Sequence, residues 1–459
     1  MAQAVSDAMV ALRSRRLEGL FGARLDAVTY AHIAALKANA VSEAYDLDFK
    51  KELYGGNDRA KRDLAGDVTA LANTAGGVLL LGVDEDDQAR AADLPGVVLS
   101  DDEVLRYRNI VADMVHPLPT FDIRQIEDPS RPGHGFLMIA VLRSPSAPHG
   151  VRVNEGLRYP RRNGASIIYL TESDVAVAYQ DRFARRQTRY DDLLRFERDL
   201  IGRLDVSDQT YIVVTLVPDL SGDFTLNNQS MRTFREETID RDLLVIPRGV
   251  AVRYVTVGNR RLIAHGGSEP SRASWIACEL HQSGAGSFAA IAANRSDLAQ
   301  SSQSLSTPTS LIQDEDLVLD IWSGLRLLAL HARDRAATGG SATVRATLTP
   351  VNLNQPAELH HPRGNFNIGA MLGSHQITEP PEATSVFDID DLAEDGPGLV
   401  AATSVMAAGL IQHFGYPETL QMTPSGTIRT KYWSTQRYGP RVQQWATQSN
   451  VELVDDAAD

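Results

Sequence analysis

The stretch from Glu43 to Asp86, EAYDLDFKKELYGGNDRAKRDLAGDVTALANTAGGVLLLGVDED, decides how this chain is read. It holds a carboxylate-rich strand, an amphipathic helix, an Asn-Thr-Ala-Gly-Gly turn and an apolar strand that ends in acids. In the segment Tyr45 to Lys50 the apolar residues alternate, so Tyr45, Leu47 and Phe49 share one strand face and Asp46, Asp48 and Lys50 share the other. An acid and a lysine on one strand face have two readings. One is a polar face in water. The other is a carboxylate that binds a divalent cation beside an ammonium that steadies a phosphate oxygen or polarises the attacking water. Glu43, just upstream, is placed to give the same ion a second carboxylate.

A helix is predicted from about Ala60 to Thr74, with Leu64, Val68, Leu71 and Ala72 on the side that packs on a sheet. Asn73 falls in its last turn, and Gly76-Gly77 supplies backbone freedom for a tight reversal. Such a turn either simply reverses the chain or lets backbone amides approach a phosphate. Val78 to Val83 is apolar without alternation, as in a central strand covered on both faces. Asp84, Glu85, Asp86 and Asp87 follow at its mouth. They are either a solvated acidic loop or a further source of metal ligands, since crowded carboxylates need a cation or a basic partner.

Working outward, the segment before residue 40 is helical by its apolar spacing, which runs from Ala8 and Leu12 through Leu25, Val28, Ile33 and Leu36. Arg13, Arg15 and Arg16 there read as a solvated basic turn. Downstream, Gly135 to Val141 reads as a strand and Ser144 to Gly150 as a loop, in which His149 is an incidental polar residue rather than a ligand or general acid. Arg158, Tyr159, Arg161 and Arg162 follow, then Arg182, Arg185, Arg186 and Arg189 along a helix. In a chain of net charge −14 this concentration suggests a polyanion face, with arginines on phosphates and Tyr159 stacked on a base. A plain surface hairpin is the other reading.

Taken together, Glu43-x4-Asp48-Phe49-Lys50, Leu71-Ala72-Asn73-Thr74-Ala75-Gly76-Gly77 and Leu81-Gly82-Val83-Asp84 resemble the Schlafen-type, Alba-like domain family. That family shows Glu-x4-Glu-Phe-Lys, Ala-Asn-Thr-x-Gly-Gly and an Ile-Gly-Val-Asp strand end. The resemblance spans roughly residues 40 to 187, about a third of the chain. It implies a metal-dependent endonuclease, above all an endoribonuclease acting on tRNA or other structured RNA, in bacterial relatives sometimes as phage defence. Carried over residue by residue, it implies that Glu43, Asp48 and Asp84 bind Mg²⁺ or Mn²⁺, with Lys50 assisting. Aspartate stands at position 48 where the family has glutamate, one methylene shorter. No Gly-x4-Gly-Lys-Ser/Thr loop accompanies the ATP-binding label that some relatives carry. Family members that clasp their substrate use two such lobes, so a homodimer is one way for this chain to supply the second. The alternatives are a non-catalytic DNA- or RNA-binding regulator and a defence-system sensor or scaffold.

The remaining sequence sets the frame. At 459 residues the chain exceeds what one core usually supports. The fold class expected is α+β: an N-terminal helical arm (1–39), a Schlafen-like mixed α/β domain (40–187), a connecting helix (188–208) and a separate C-terminal α+β domain (209–459). In the last, Gln209 to Pro218 and Ala342 to Pro350 read as strands sharing Thr-Leu-x-Pro, with β-prone segments near Leu243, Ala251 and Ser287. Helices are predicted over Asp314–Ala332 and Leu399–His413. Tyr432, Trp433 and Tyr438 read as core aromatics of a terminal strand rather than, with Arg437, as a base-stacking or partner-binding surface, and His360-His361 lacks the further ligands of a zinc site. The single cysteine, Cys278, excludes a disulfide framework. With no signal-peptide pattern and no apolar run judged long enough to span a bilayer, a cytoplasmic protein without a membrane partner is expected.

Overall fold

A computed structural model describes residues 14–204, 206, 209–240, 244–246, 252–266, 275–294, 310–349, 357–360, 380–435 and 437–455. Ala8, Leu12, Arg13 and His361 lie outside the described residues, as do Leu243, Ala251 and the Ser- and Thr-rich stretch before Ser310. The chain divides into two compact units, residues 1–188 and 189–459, and the architecture is α+β in both.

In the first unit the elements run α1 (Arg15–Phe21), α2 (Tyr30–Ala38), β1 (Leu47–Lys50), α3 (Asp58–Ala72), β2 (Gly76–Leu81), β3 (Asp84–Glu85), β4 (Ala91–Asp93) and β5 (Val97–Val98). They continue with α4 (Asp101–Met114), β6 (Val115–His116), β7 (Phe121–Glu127), β8 (His134–Leu142), β9 (Gly150–Val153), β10 (Gly156–Arg158), β11 (Pro160–Asn163) and β12 (Ser166–Tyr169). The helix α5 (Glu172–Ile201) begins here, and the unit boundary falls inside it.

The main sheet has the order β1-β2-β8, with β7 and β5 both pairing to β8. Strands β1 and β2 are parallel, which requires a crossover, and α3 provides it. The unbroken apolar run of β2 is explained by two cores, one on each side of the sheet. Val78 and Leu80 join Leu47, Phe49, Phe136 and Met138 under Leu17, Phe21, Ile33 and Leu36 of the N-terminal helices. Leu79 and Leu81 join Leu137 and Ile139 under Leu64, Val68 and Leu71 of α3 and Tyr107 and Val111 of α4. The first helices are therefore one layer of this core rather than an arm beside it. Each fully buried Leu or Ile contributes about 1.5–3 kcal/mol, so the layer is a substantial part of the unit's stability.

The second unit is built on a seven-stranded antiparallel sheet in the order Tyr254–Gly258, Arg261–His265, Ile276–His281, Gly286–Asn294, Gln209–Pro218, Ser341–Thr349, Glu382–Asp388. The two strands that share Thr-Leu-x-Pro are direct neighbours in it, Leu216 opposite Val344. The helix Asp314–Leu330 buries Leu317, Ile321, Leu325 and Leu328 in the same core. Trp433 and Tyr438 are core residues, as their aromatic character suggests. The span Pro397–Phe414 is long and apolar enough to cross a membrane by composition, but its Leu399, Val400, Met406 and Leu410 are buried in this unit's core.

Candidate nucleic-acid interface

Strand alternation does put Asp48 and Lys50 on one face of β1, and Lys50 Nζ donates to Asp48 Oδ2 at 2.6 Å. The face is enclosed. Asp48 Oδ1 accepts from Arg162 Nη1 at 2.7 Å, and both side chains of that pair are at most 4% exposed. Asp48 is thus a buried acid held between two cations. Arg162 was expected on the polyanion face; it turns inward instead and also donates Nη2 to the Ala44 carbonyl. The reason lies in β11, where Pro160 and Arg162 are buried while Arg161 and Asn163 are exposed. The same pocket holds two residues that the sequence reading passed over. Asp67 of α3 accepts a hydrogen bond from the Tyr54 hydroxyl, and burial together with the Asp48 charge pushes its carboxyl up to about 6.

Glu43 is half-buried and accepts from the Phe49 amide at 2.6 Å. Burial, with Asp48 and Glu85 nearby, pushes its carboxyl up to about 7. Asp84, in contrast, is partly exposed and pairs with Lys51 at 2.8 Å. Among the described residues no three His, Cys, Asp or Glu side chains gather as a group able to hold a metal ion. Both oxygens of Asp48 are committed to Lys50 and Arg162. In this arrangement Glu43, Asp48 and Asp84 do not gather as a site for Mg²⁺ or Mn²⁺: Asp48 and Asp84 are each paired with cations of the chain, and Glu43 is engaged by the Phe49 amide.

The Asn-Thr-x-Gly-Gly motif has a structural explanation. Asn73 Nδ2 donates to the carbonyls of His149 and Pro160 at 2.9 and 2.8 Å, and its Oδ1 accepts from the His149 amide at 2.7 Å. Thr74 Oγ1 accepts from the Arg162 amide at 2.9 Å. One helix end thus anchors β9 and β11 to α3. A Cβ on Gly77, whose φ is 149°, would lie 2.3 Å from the Asp46 carbonyl oxygen, so the backbone entering β1 approaches β2 at a distance only glycine permits. His149 is fully buried, its Nδ1 beside the Pro117 carbonyl oxygen, and burial lowers its pKa. It anchors a loop.

Of the other basic residues, Arg189 is mostly enclosed and pairs with Asp219 at 3.4 Å, and most of the rest face outward. Between Arg143 and Arg189 the chain carries nine arginines against four acids, an excess of five positive charges in a protein of net charge −14. Arg158 is exposed and lies over the Tyr169 ring at 5.6 Å. Tyr159 packs edge-on against Tyr179, whose hydrogen bond pushes its hydroxyl up to about 12, so it stacks on a neighbour rather than standing free. Arg161 is exposed, and Arg182 and Arg185 are half-exposed on α5; the Arg186 side chain lies outside the described residues. Tyr169 and Phe183, 56% and 62% exposed, are aromatic surface that the sequence reading missed. The signal for them was an aromatic on the solvent side of an alternating hairpin and on the polar side of a helix.

Arg161 and Arg185 also rim a cleft of about 280 Å³ together with Arg143, between the end of β8 and the first half of α5. A larger, open groove of about 430 Å³ between α3 and α4 is lined by Lys61, Asp102, Arg106 and Asp113, none of them a predicted site residue.

Residues 43–169 match the family model described as Schlafen, AlbA_2. No curated protein sequence matches the chain. Among solved structures, the DIP2311 protein from Corynebacterium diphtheriae is similar at 21% identity, covering 34% of this chain and 27% of that one, with a TM-score of 0.22. This chain thus spans only about a quarter of that protein's length. The N-terminal domain of an ATP-dependent DNA helicase RecG-related protein from Nitrosomonas europaea is similar at 22% identity, covering 29% of this chain and 89% of that one, with a TM-score of 0.20. The two-sided sheet with its Asn-Thr-x-Gly-Gly anchor, taken with the family match, gives the conclusion that residues 43–169 are a Schlafen, AlbA_2 domain.

Proposed function

We propose that the first unit binds nucleic acid through the arginine-rich face carried by residues 143–189, and that Asp48 is a structural acid within it. The observation that carries this reading is the group of exposed and half-exposed arginines Arg143, Arg158, Arg161, Arg182 and Arg185 on an acidic chain, displayed beside exposed Tyr169 and Phe183. Guanidinium groups bind phosphates and release counterions, while exposed rings give bases a surface to stack on. Asp48, saturated by Lys50 and Arg162, supports a binding module over a metal-dependent hydrolase. Cleavage of RNA such as tRNA, which the family resemblance implies, would require Glu43, Asp48 and Asp84 to regroup around a cation.

The test is to incubate the full chain with tRNA and with single-stranded DNA in Mn²⁺ or in EDTA, and to follow both retention on a native gel and strand integrity. Binding that EDTA leaves unchanged, with intact strands, supports the module. Mn²⁺-dependent cleavage that disappears in Asp84→Ala overturns it in favour of the nuclease.

A further inference from the structure

The cleft rimmed by Arg143, Arg161 and Arg185 differs in kind from the open face beside it. Its volume of about 280 Å³ lies at the lower edge of ligand pockets, which run from roughly 300 to 1,000 Å³, so it suits one small group rather than a run of nucleotides. Its polar floor is already spent. Asn73 is committed to His149 and Pro160, and Thr74 to Arg162 and to the Ala70 carbonyl. Recognition therefore falls to the rim, where Arg143 and Arg161 are exposed and Arg161 lies near enough to Asp174 to help hold its carboxyl below the usual range. Arg185 uses only Nε, donating to the Asp181 carbonyl at 3.1 Å, which holds the guanidinium in place on α5. Of the two acids on the rim, Asp174 has one oxygen occupied by the amide and hydroxyl of Thr171, in the reciprocal cap that starts α5. Pro148, Leu170 and the exposed Val177 give the cleft an apolar wall.

Three guanidiniums share this small cleft with Asp174 and Asp181, leaving it net positive with several forked donors grouped around one point. A phosphomonoester carries about −1.5 to −2 charges at neutral pH and offers three acceptor oxygens to forked donors. The apolar wall beside it matches the face of a base. We propose that this cleft takes one nucleoside monophosphate unit, its phosphate among Arg143, Arg161 and Arg185 and its base against Pro148, Leu170 and Val177. The shared chemistry has two sources, the phosphorylated end of a strand and a free mononucleotide. The strand end deepens the nucleic-acid reading given above and rests on it.

The experiment uses the full chain and a short labelled single strand bearing a 5′-phosphate, a 3′-phosphate or neither, with AMP and adenosine as competitors. A phosphorylated end is expected to bind about tenfold more tightly than its hydroxyl counterpart, the effect of one additional charge-assisted contact set. AMP competes and adenosine does not. Arg143→Ala and Arg161→Ala each remove the preference, whereas Arg158→Ala, outside the cleft, weakens all strands alike. AMP competition without any strand-end preference supports the cleft with the free mononucleotide as its source. Equal affinity for all three strands with no competition by AMP overturns the cleft and leaves the nucleic-acid reading standing. Absence of binding to strands and to AMP overturns both.

Discussion

Asp48 and Arg162, 114 positions apart, are joined by a 2.7 Å ion pair whose two side chains are almost wholly enclosed. This pair ties β11 to β1 and gives the most conspicuous acid of the chain a structural task. Removing one partner of such a pair strands the other charge in a medium that solvates it poorly, at about 3–5 kcal/mol, whereas replacing both with apolar groups of similar volume is often neutral or better. Asp48→Ala is therefore expected to lower stability by about 3–5 kcal/mol in urea unfolding, and the combination Asp48→Leu with Arg162→Met to recover much of that loss. A fully stable Asp48→Ala protein would show that the pair is not what holds β11.

Much of this was readable in the sequence, and the unreadable part has physical reasons. Alternation correctly set Asp48 and Lys50 side by side, because the period of a strand is a local property. The double-sided burial of β2 was equally legible from its unbroken apolar run. Which cation would meet Asp48 was not legible, since a contact across 114 residues depends on how β11 folds back. Counting arginines assigned Arg161 and Arg162 to the same face. Adjacent residues on a strand point to opposite sides, so in the strand Pro160 to Asn163 the two separate, Arg162 inward and Arg161 outward. Asp67 escaped notice because it flanks the apolar stripe Leu64, Val68, Leu71 rather than interrupting it.

The buried carboxyls of Glu43 and Asp67 make a defined prediction for pH. Their folded values, about 7 and about 6, lie above the ordinary 4.5 and 3.8, so the folded state binds protons more tightly than the unfolded one. Their contribution to stability is fully present below about pH 4 and is lost as pH rises through 6 and 7. His149, His281 and His331 act in the opposite sense, because burial lowers their pKa and stability gained from them rises with pH up to about 6.5. The difference between wild type and Glu43→Gln isolates the acid. Urea unfolding at pH 5 and pH 8 should show a smaller fall with rising pH in Glu43→Gln, and an identical fall in both proteins would refute the assignment.

At the end of α3, Asn73→Ala leaves the His149 amide and the carbonyls of His149 and Pro160 without their partner. Each such group costs about 1–3 kcal/mol when left unsatisfied, and solvent reaches part of this site, so a total near 3 kcal/mol is expected. Gly77→Ala should be worse. Its methyl group would meet the Asp46 carbonyl oxygen, a backbone atom at the entry to β1 that accepts from the Val78 amide and cannot move without disturbing the sheet, and its φ of 149° is one that alanine avoids. We expect Gly77→Ala to fail to accumulate as folded protein, measured as soluble yield and by circular dichroism, while Asn73→Ala folds with a lowered urea midpoint.

The nucleic-acid face makes a prediction that separates bound phosphates from general electrostatic attraction. For a single strand, the logarithm of the binding constant falls with the logarithm of salt concentration by about 0.7 for each phosphate neutralised. Arg158 and Arg182 lie outside the cleft on the same basic segment, while Arg106 lies on the α4 side and is already bound to Glu103. Arg158→Ala and Arg182→Ala should each reduce the salt slope by about 0.7, and the pair by about twice that, since each would remove one contact from the line of phosphates. Arg106→Ala lowers the net positive charge by the same amount and should leave the slope where it was. Fluorescence anisotropy across a salt series reads both quantities at once. If all three substitutions shift the binding constant equally and none changes the slope, the attraction is diffuse and the arginines between Arg143 and Arg189 do not form the interface.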